Sequence, residues 1–155
     1  HIDPGVIIHL LRNEKLNIDA LEHLLYKKSG LLGLSGQTGD WEKLHKLRDD
    51  KSKFAQAYFI EQIVQHIGKI TAHLQGVDGI VFTGGIGQHD FHCMNSILEK
   101  LRWLGIAPKP IDSLSSDHLP QKLSSAESKI EAWIIATNEA AIMVNEARKL
   151  TQTTR

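Results

Sequence analysis

The chain has 155 residues, with 18 Lys+Arg against 18 Asp+Glu and 41% hydrophobic residues. A formal net charge of zero lacks the basic footprint of a nucleic-acid binder or a polybasic membrane-surface protein, and the length suits one domain, residues 1–155. The single cysteine, Cys93, forbids an internal disulfide, and no apolar run approaches the ~20 residues that span a bilayer.

His1-Ile2-Asp3-Pro4 has neither the basic nor the apolar region of a signal peptide, so a soluble, cytoplasmic protein is expected. Because position 1 is not methionine, further residues are expected upstream. Asp3 and Pro4 read as N-cap and first position of a helix that carries Val6, Ile7, Leu10 and Leu11. A second helical pattern runs from Asn17 to Lys28, with Ile18, Leu21, Leu24 and Leu25 on one face and Gly30 as its stop. Residues 29–40 hold four glycines and two serines and read as a loop before a helical segment at Trp41–Leu47. Residues 51–75 carry the longest periodic pattern, from Phe54 and Tyr58 through Ile63, Ile67 and Ile70 to Leu74, closed by Gly76.

The period then changes. Gly79–Thr83 is β-branched and aromatic, too short for a helix, and stops at Gly84-Gly85, so it reads as a buried strand. A helix from about Asp90 to Leu104 follows, then a loop-rich stretch over 107–128 with a short edge strand near Ile106. A second strand is expected over Lys129–Ala136 and a closing helix over Asn138–Leu150. Strand, glycine turn and helix, then strand, polar turn and helix, is an α/β arrangement with ligand chemistry at the carboxyl ends of the strands.

Three constellations carry candidate chemistry, and each has a purely structural counterpart. Thr83-Gly84-Gly85-Ile86-Gly87-Gln88-His89 joins a strand to a helix; its glycines leave room for a nucleotide or phosphate against the backbone, or make an ordinary tight turn. It has neither the spacing of a dinucleotide fingerprint nor the lysine of a P-loop. Glu139, after Thr137-Asn138, is placed to hold Mg²⁺ beside phosphates or to complement a helix dipole. Asp40 suits a ribose and Trp41 a purine face, although Asp40 equally suits the N-cap of the next helix. His89, His92 and Cys93 lie close together, but four ligands for a structural zinc are not in sight. Trp103 and Trp133 read as core or subunit-interface anchors.

Taken in order, Ile2-Asp3-Pro4-Gly5, Lys27-Lys28-Ser29-Gly30-Leu31-Leu32-Gly33-Leu34-Ser35-Gly36, Val81-Phe82-Thr83-Gly84-Gly85-Ile86-Gly87 and Thr137-Asn138-Glu139 resemble the C-terminal part of the acetate kinases over residues 2–149. The resemblance implies an actin-like ATPase (RNase H-like) domain, the half of a two-domain kinase that holds the adenosine. It implies transfer of the γ-phosphoryl of ATP to acetate, giving acetyl phosphate and ADP, with Mg²⁺ and a homodimer. It assigns ATP contacts to Asp40, Trp41 and Glu42 and to Gly85, Ile86, Gly87, Gln88 and His89, and the metal position to Glu139. Glu42 stands where the family usually has arginine, Gln88-His89 where it has Glu-Asn, and Ala140 where a second glutamate is usual. The arginines that would hold acetate belong to the absent part, so the chain alone is expected to be inactive. The alternatives are a propionate or other short-chain acyl kinase, and a catalytically silent nucleotide-binding or dimerisation module.

Overall fold

The computed structural model describes residues 2–114, 119–138, 140–141, 143–144 and 148. The chain divides into two compact units, His1–Gln62 and Ile63–Arg155.

The first unit is helical. Helix α1 (Pro4–Arg12) starts as its sequence dictates, with Asp3 accepting a hydrogen bond from the Gly5 amide at 2.6 Å and Pro4 at the first position. Asn17 caps α2 (Ile18–His23) through the Ala20 amide at 2.8 Å, and the backbone then loosens into a π-helix over Leu24–Lys28. The supposed loop at 29–40 contains a helix, α3 (Gly30–Ser35). The four glycines concealed it: Leu31, Leu32 and Leu34 sit inside the helix, and only Gly36, left-handed at φ 69°, ends it by donating to the Leu32 carbonyl at 2.8 Å. Buried Ser35 organises the turn that follows, its hydroxyl accepting from the Gln37 and Thr38 amides at 3.1 and 3.2 Å and donating to the Thr38 carbonyl at 3.0 Å.

Helix α4 (Trp41–Lys46) buries Trp41 and Leu44. The Trp41 ring packs on Phe59 with centroids 4.5 Å apart, and Gln56 Nε2 donates to the Leu44 carbonyl at 2.9 Å. Helix α5 (Asp50–Leu74) is the expected long helix and continues into the second unit. It leaves Phe54, Tyr58, Ile70 and Leu74 exposed.

The second unit is built on a three-stranded sheet in the order β1-β3-β2, with β1 Gly79–Phe82, β2 Gln121–Lys122 and β3 Glu131–Ile134. Strands β1 and β3 are parallel, paired from Gly79↔Glu131 to Phe82↔Ile134, while β2 joins β3 antiparallel. Both expected strands form, the first without Thr83 and the second trimmed at both ends. Strand β1, however, read from its apolar sequence as buried, alternates exposed and half-buried residues because it lies at an edge of the sheet formed by the described strands. The expected edge strand near Ile106 is realised as a single bridge, Pro108↔Ser124, flanked by Lys109 N–H to the Leu123 carbonyl at 2.7 Å. Lys122 pairs with Glu131 and lies 5.6 Å over the Trp133 ring; the Lys122 hydrogen bond, then that of Trp133, holds the Glu131 carboxyl below its ordinary range.

Between the paired strands the chain forms α6 (Gly84–His89) and α7 (Phe91–Lys100). Sequence spacing suggested one helix from Asp90 to Leu104; instead α7 ends at Lys100 and a 3₁₀ turn covers Arg102–Leu104. Asp90 separates α6 from α7 and caps α7 through the Cys93 amide at 2.8 Å. Cys93, Met94, Ile97, Leu98 and Leu101 fall on one stripe and are all buried. With Ile106, Leu123, Ile130, Ala132 and Ile134 they form the core of this unit. Trp103, read as a core or subunit-interface anchor, is not in the core of this unit, at 68% exposed. The described residues between 140 and 148 are helical, and Asn138 Oδ1 accepts from the Ala141 amide at 3.0 Å.

Leu98 is 1% exposed, so Leu98→Ala removes buried methyls and leaves a cavity. We expect a loss of about 2–5 kcal/mol, against little change for Trp103→Ala, measured by urea unfolding.

Candidate functional site

Because β1 and β3 are adjacent and parallel, their carboxyl ends lie side by side, and the chain beyond each emerges at one end of the sheet. From β1 emerges the glycine segment. Gly84, at φ 74°, turns the chain out of the strand, and residues 84–89 wind into the short helix α6 rather than an open loop. A side chain at Gly87 would meet the Phe82 backbone and Cβ at 3.3 and 3.4 Å, so this glycine lets α6 lie close to the strand it follows. Gly85 is different. A Cβ there would meet nothing within 4 Å and its backbone is unstrained, so its missing side chain is not required by the fold.

From β3 emerge Ile135, Ala136, Thr137 and Asn138. Ile135 N–H still donates to the Phe82 carbonyl at 3.0 Å, which extends the pairing to the foot of the glycine segment. Gln88 Nε2 then donates to Thr137 Oγ1 at 3.3 Å, joining α6 to the turn after β3 across 49 residues of sequence. The structure thus brings Gly85, Ile86, Gly87, Gln88 and His89 together with Thr137 and Asn138. Gln88 and Ile86 are half-buried, while Gly85 and His89 are exposed. Nothing local in the sequence marks Thr137 as the partner of Gln88; only the parallel pairing of the two strands would have found it.

Asp40, Trp41 and Glu42 belong to the other compact unit. Asp40 Oδ1 caps α4 by accepting from the Lys43 amide at 3.1 Å, and its own amide donates to Thr38 Oγ1 at 3.1 Å. Trp41 is 8% exposed, its ring held between Phe59 and His45, at 4.5 and 6.1 Å between centroids. Glu42 is exposed and pairs with Lys46 at 2.8 Å, one helical turn on. Its carboxylate therefore serves a surface ion pair, of little consequence for stability.

Glu139 lies outside the described residues. Among the described residues no group of three or more His, Cys, Asp or Glu side chains could hold a metal ion. His89 closes α6 while His92 and Cys93 stand on α7 beyond the break at Asp90, so the three do not share one helix face. Thr137 Oγ1 and Asn138 Oδ1, two side-chain oxygens beyond β3, accept hydrogen bonds from Gln88 Nε2 and the Ala141 amide. No described helix is long and apolar enough to cross a membrane.

The Acetokinase family model matches residues 1–145. The acetate kinase of Rickettsia prowazekii is 41% identical over 149 residues, covering 96% of this chain but 38% of that protein. That of Rhodopseudomonas palustris is 35% identical over the same length, 37% of its own. Among solved structures, the acetate kinase of Porphyromonas gingivalis superposes with a TM-score of 0.86 at 25% identity, over 97% of this chain and 39% of that one. A propionate kinase from Francisella tularensis superposes with a TM-score of 0.78 at 27% identity, over 90% and 36%. The fold is the actin-like ATPase class expected from the motifs, and the chain spans about two-fifths of the length of these relatives.

Cys93, 2% exposed, follows Asp90 into the core, and burial, then the Asp90 carboxylate, pushes its thiol from 9.0 up to about 12. The folded chain therefore keeps a proton that the unfolded chain releases: this contribution to stability is whole below pH 9.0 and is lost as pH rises from there towards about 12. Iodoacetamide at pH 8 should alkylate the native thiol at least ~100-fold more slowly than the urea-unfolded one.

Proposed function

Because the chain belongs to the acetokinase family, we propose that it is the C-terminal, nucleotide-holding part of an acetate kinase. The observation that carries this reading is the pair of parallel strands whose adjoining ends present α6 and the 135–138 turn, bridged by Gln88 and Thr137. Ligands of open α/β sheets bind at such strand ends. In the proposed site adenosine lies against Gly85, Ile86 and Gly87, with Gln88 and His89 at its rim. Gly85 supports this directly, since the fold leaves the space beside it empty.

Asp40 and Glu42 are also proposed as nucleoside contacts. Trp41 acts there by holding α4 in place, because its ring is already packed inside. Glu139 would hold Mg²⁺ through water, and the bound cation would neutralise the charge of the phosphates during transfer.

The reaction proposed for the whole kinase is attack of an acetate oxygen on the γ-phosphorus of ATP. The bond to the β–γ bridging oxygen breaks, and ADP leaves. A carboxylate needs little activation as a nucleophile, so catalysis is in-line positioning and charge neutralisation. The groups that hold acetate lie in the part of the relatives that this chain does not span. A propionate or other short-chain acyl kinase is the second reading, and the similarity to a propionate kinase is in keeping with it.

Calorimetric titration with ADP tests the reading. The chain should bind ADP yet form no acetyl phosphate by hydroxamate assay. Gly85→Val should abolish binding while leaving thermal unfolding unchanged, since its Cβ enters open space. Glu42→Arg should strengthen binding by about 1 kcal/mol through a charge-assisted donor. Full affinity in Gly85→Val would leave only a structural turn, and a silent module would be the better description.

We also propose a homodimer, formed through the exposed Phe54 and Tyr58 of α5, whose rings lie 6.4 Å apart between centroids. Light scattering at high micromolar concentration should give twice the chain mass, and Tyr58→Glu should halve it.

A further inference from the structure

We infer that Thr137 is a positioning residue for the proposed nucleotide site: its hydroxyl, bound by Gln88, holds the last turn of α6 in the conformation that a nucleotide meets. Gln88 then acts through Thr137 and not by contact with the base. This role deepens the proposed function and rests on it for the identity of the ligand.

Helix α6 is poorly equipped to hold itself. It has six residues, three of them glycine, and no side chain caps its start or is buried along it. A glycine inside a helix costs roughly 1 kcal/mol relative to alanine, and a helix this short is not stable alone. Its beginning is held by the strand it leaves, since Gly84 turns the chain at φ 74° and Gly87 lies close against Phe82. Its end is joined to α7 through the Asp90 amide, which donates to the Ile86 carbonyl at 3.0 Å, and to the sheet through Gln88.

The turn after β3 has a matching need. Residues 135–138 belong to no helix or strand. Ile135 N–H is fixed on the Phe82 carbonyl at 3.0 Å, and Asn138 Oδ1 accepts from the Ala141 amide at 3.0 Å. Thr137 stands between these two anchors, and its Oγ1 accepts from Gln88 Nε2 at 3.3 Å. A hydroxyl both accepts and donates, so it holds either end of the Gln88 amide.

The bond is long for its type, Thr137 is exposed and Gln88 half-buried, so it adds little to global stability. Its effect is local. It fixes the spacing between the two segments that flank the proposed site. A surface ordered before the ligand arrives also spares the ligand the cost of ordering it.

Two measurements on the chain test this role. In amide hydrogen exchange without nucleotide, Thr137→Val should speed the amides of Gln88, His89 and Asp90 about three- to tenfold, leaving Ile97 and Leu98 of α7 unchanged. In calorimetric titration with ADP, Thr137→Val and Gln88→Leu should each weaken binding about three- to tenfold, and the double variant no further. Thr137→Ser keeps the hydroxyl and should bind as the parent chain does. Additive losses in the double variant, or a loss in Gln88→Leu with none in Thr137→Val, would make Gln88 a direct contact and overturn the inference. Unchanged exchange in Thr137→Val would overturn it as well. The exchange measurement involves no nucleotide, so a chain that fails to bind ADP refutes the proposed site, while the tie stands or falls on exchange.

Discussion

The parallel pairing of β1 with β3 is the constraint on which the second unit depends. It joins segments about fifty residues apart, from Gly79↔Glu131 to Phe82↔Ile134. Its register is held by burial: Ala132 and Ile134 are fully inside, and a slip of one residue would turn them to the open face and bring Glu131 and Trp133 inward. The loop-closure cost of such a separation rises only logarithmically with length, so a few buried apolar side chains outweigh it. Once the register is set, α6 and the turn at Thr137 have no choice but to be neighbours. The site is therefore a product of sheet registration more than of any local motif.

Much of the fold was legible because the deciding physics is local. Asp3 with Pro4, and Asn17, announce helix starts through side-chain caps, and the long α5 follows from spacing alone. Strands β1 and β3 stood out by β-branched residues between turn formers. What was hidden depends on context. Helix α3 contains two of the four glycines that suggested a loop, and its stability comes from its leucines and the left-handed Gly36. Helix α6 holds three glycines, poor helix formers, because Gly87 must fit against Phe82. The division at Gln62 falls within one unbroken helix, and no change of composition marks it.

The candidate site divides in the same way. Asp40 has the residue type a cap needs, and it is a cap. Trp41 has the residue type for stacking, but burial against Phe59 leaves it a structural post, a distinction that residue identity does not carry. In Gly84-Gly85-Ile86-Gly87 the three glycines look equivalent as letters, yet one makes the turn, one allows close packing, and only Gly85 is free of structural duty. That separation of roles makes Gly85 the informative position.

The three tryptophans fall into three surroundings: Trp41 is buried among aromatic rings in the first unit, Trp103 is open to water, and Trp133 lies under Lys122 with its indole N–H on Glu131 at 3.0 Å. Indole emission depends on polarity and on nearby charge, so the chain carries built-in optical reporters that differ by unit. With Trp103 replaced by phenylalanine, the remaining fluorescence would divide between one chromophore in each unit. Melting of the helical unit and melting of the sheet could then be followed as separate colours within one sample, with no added label.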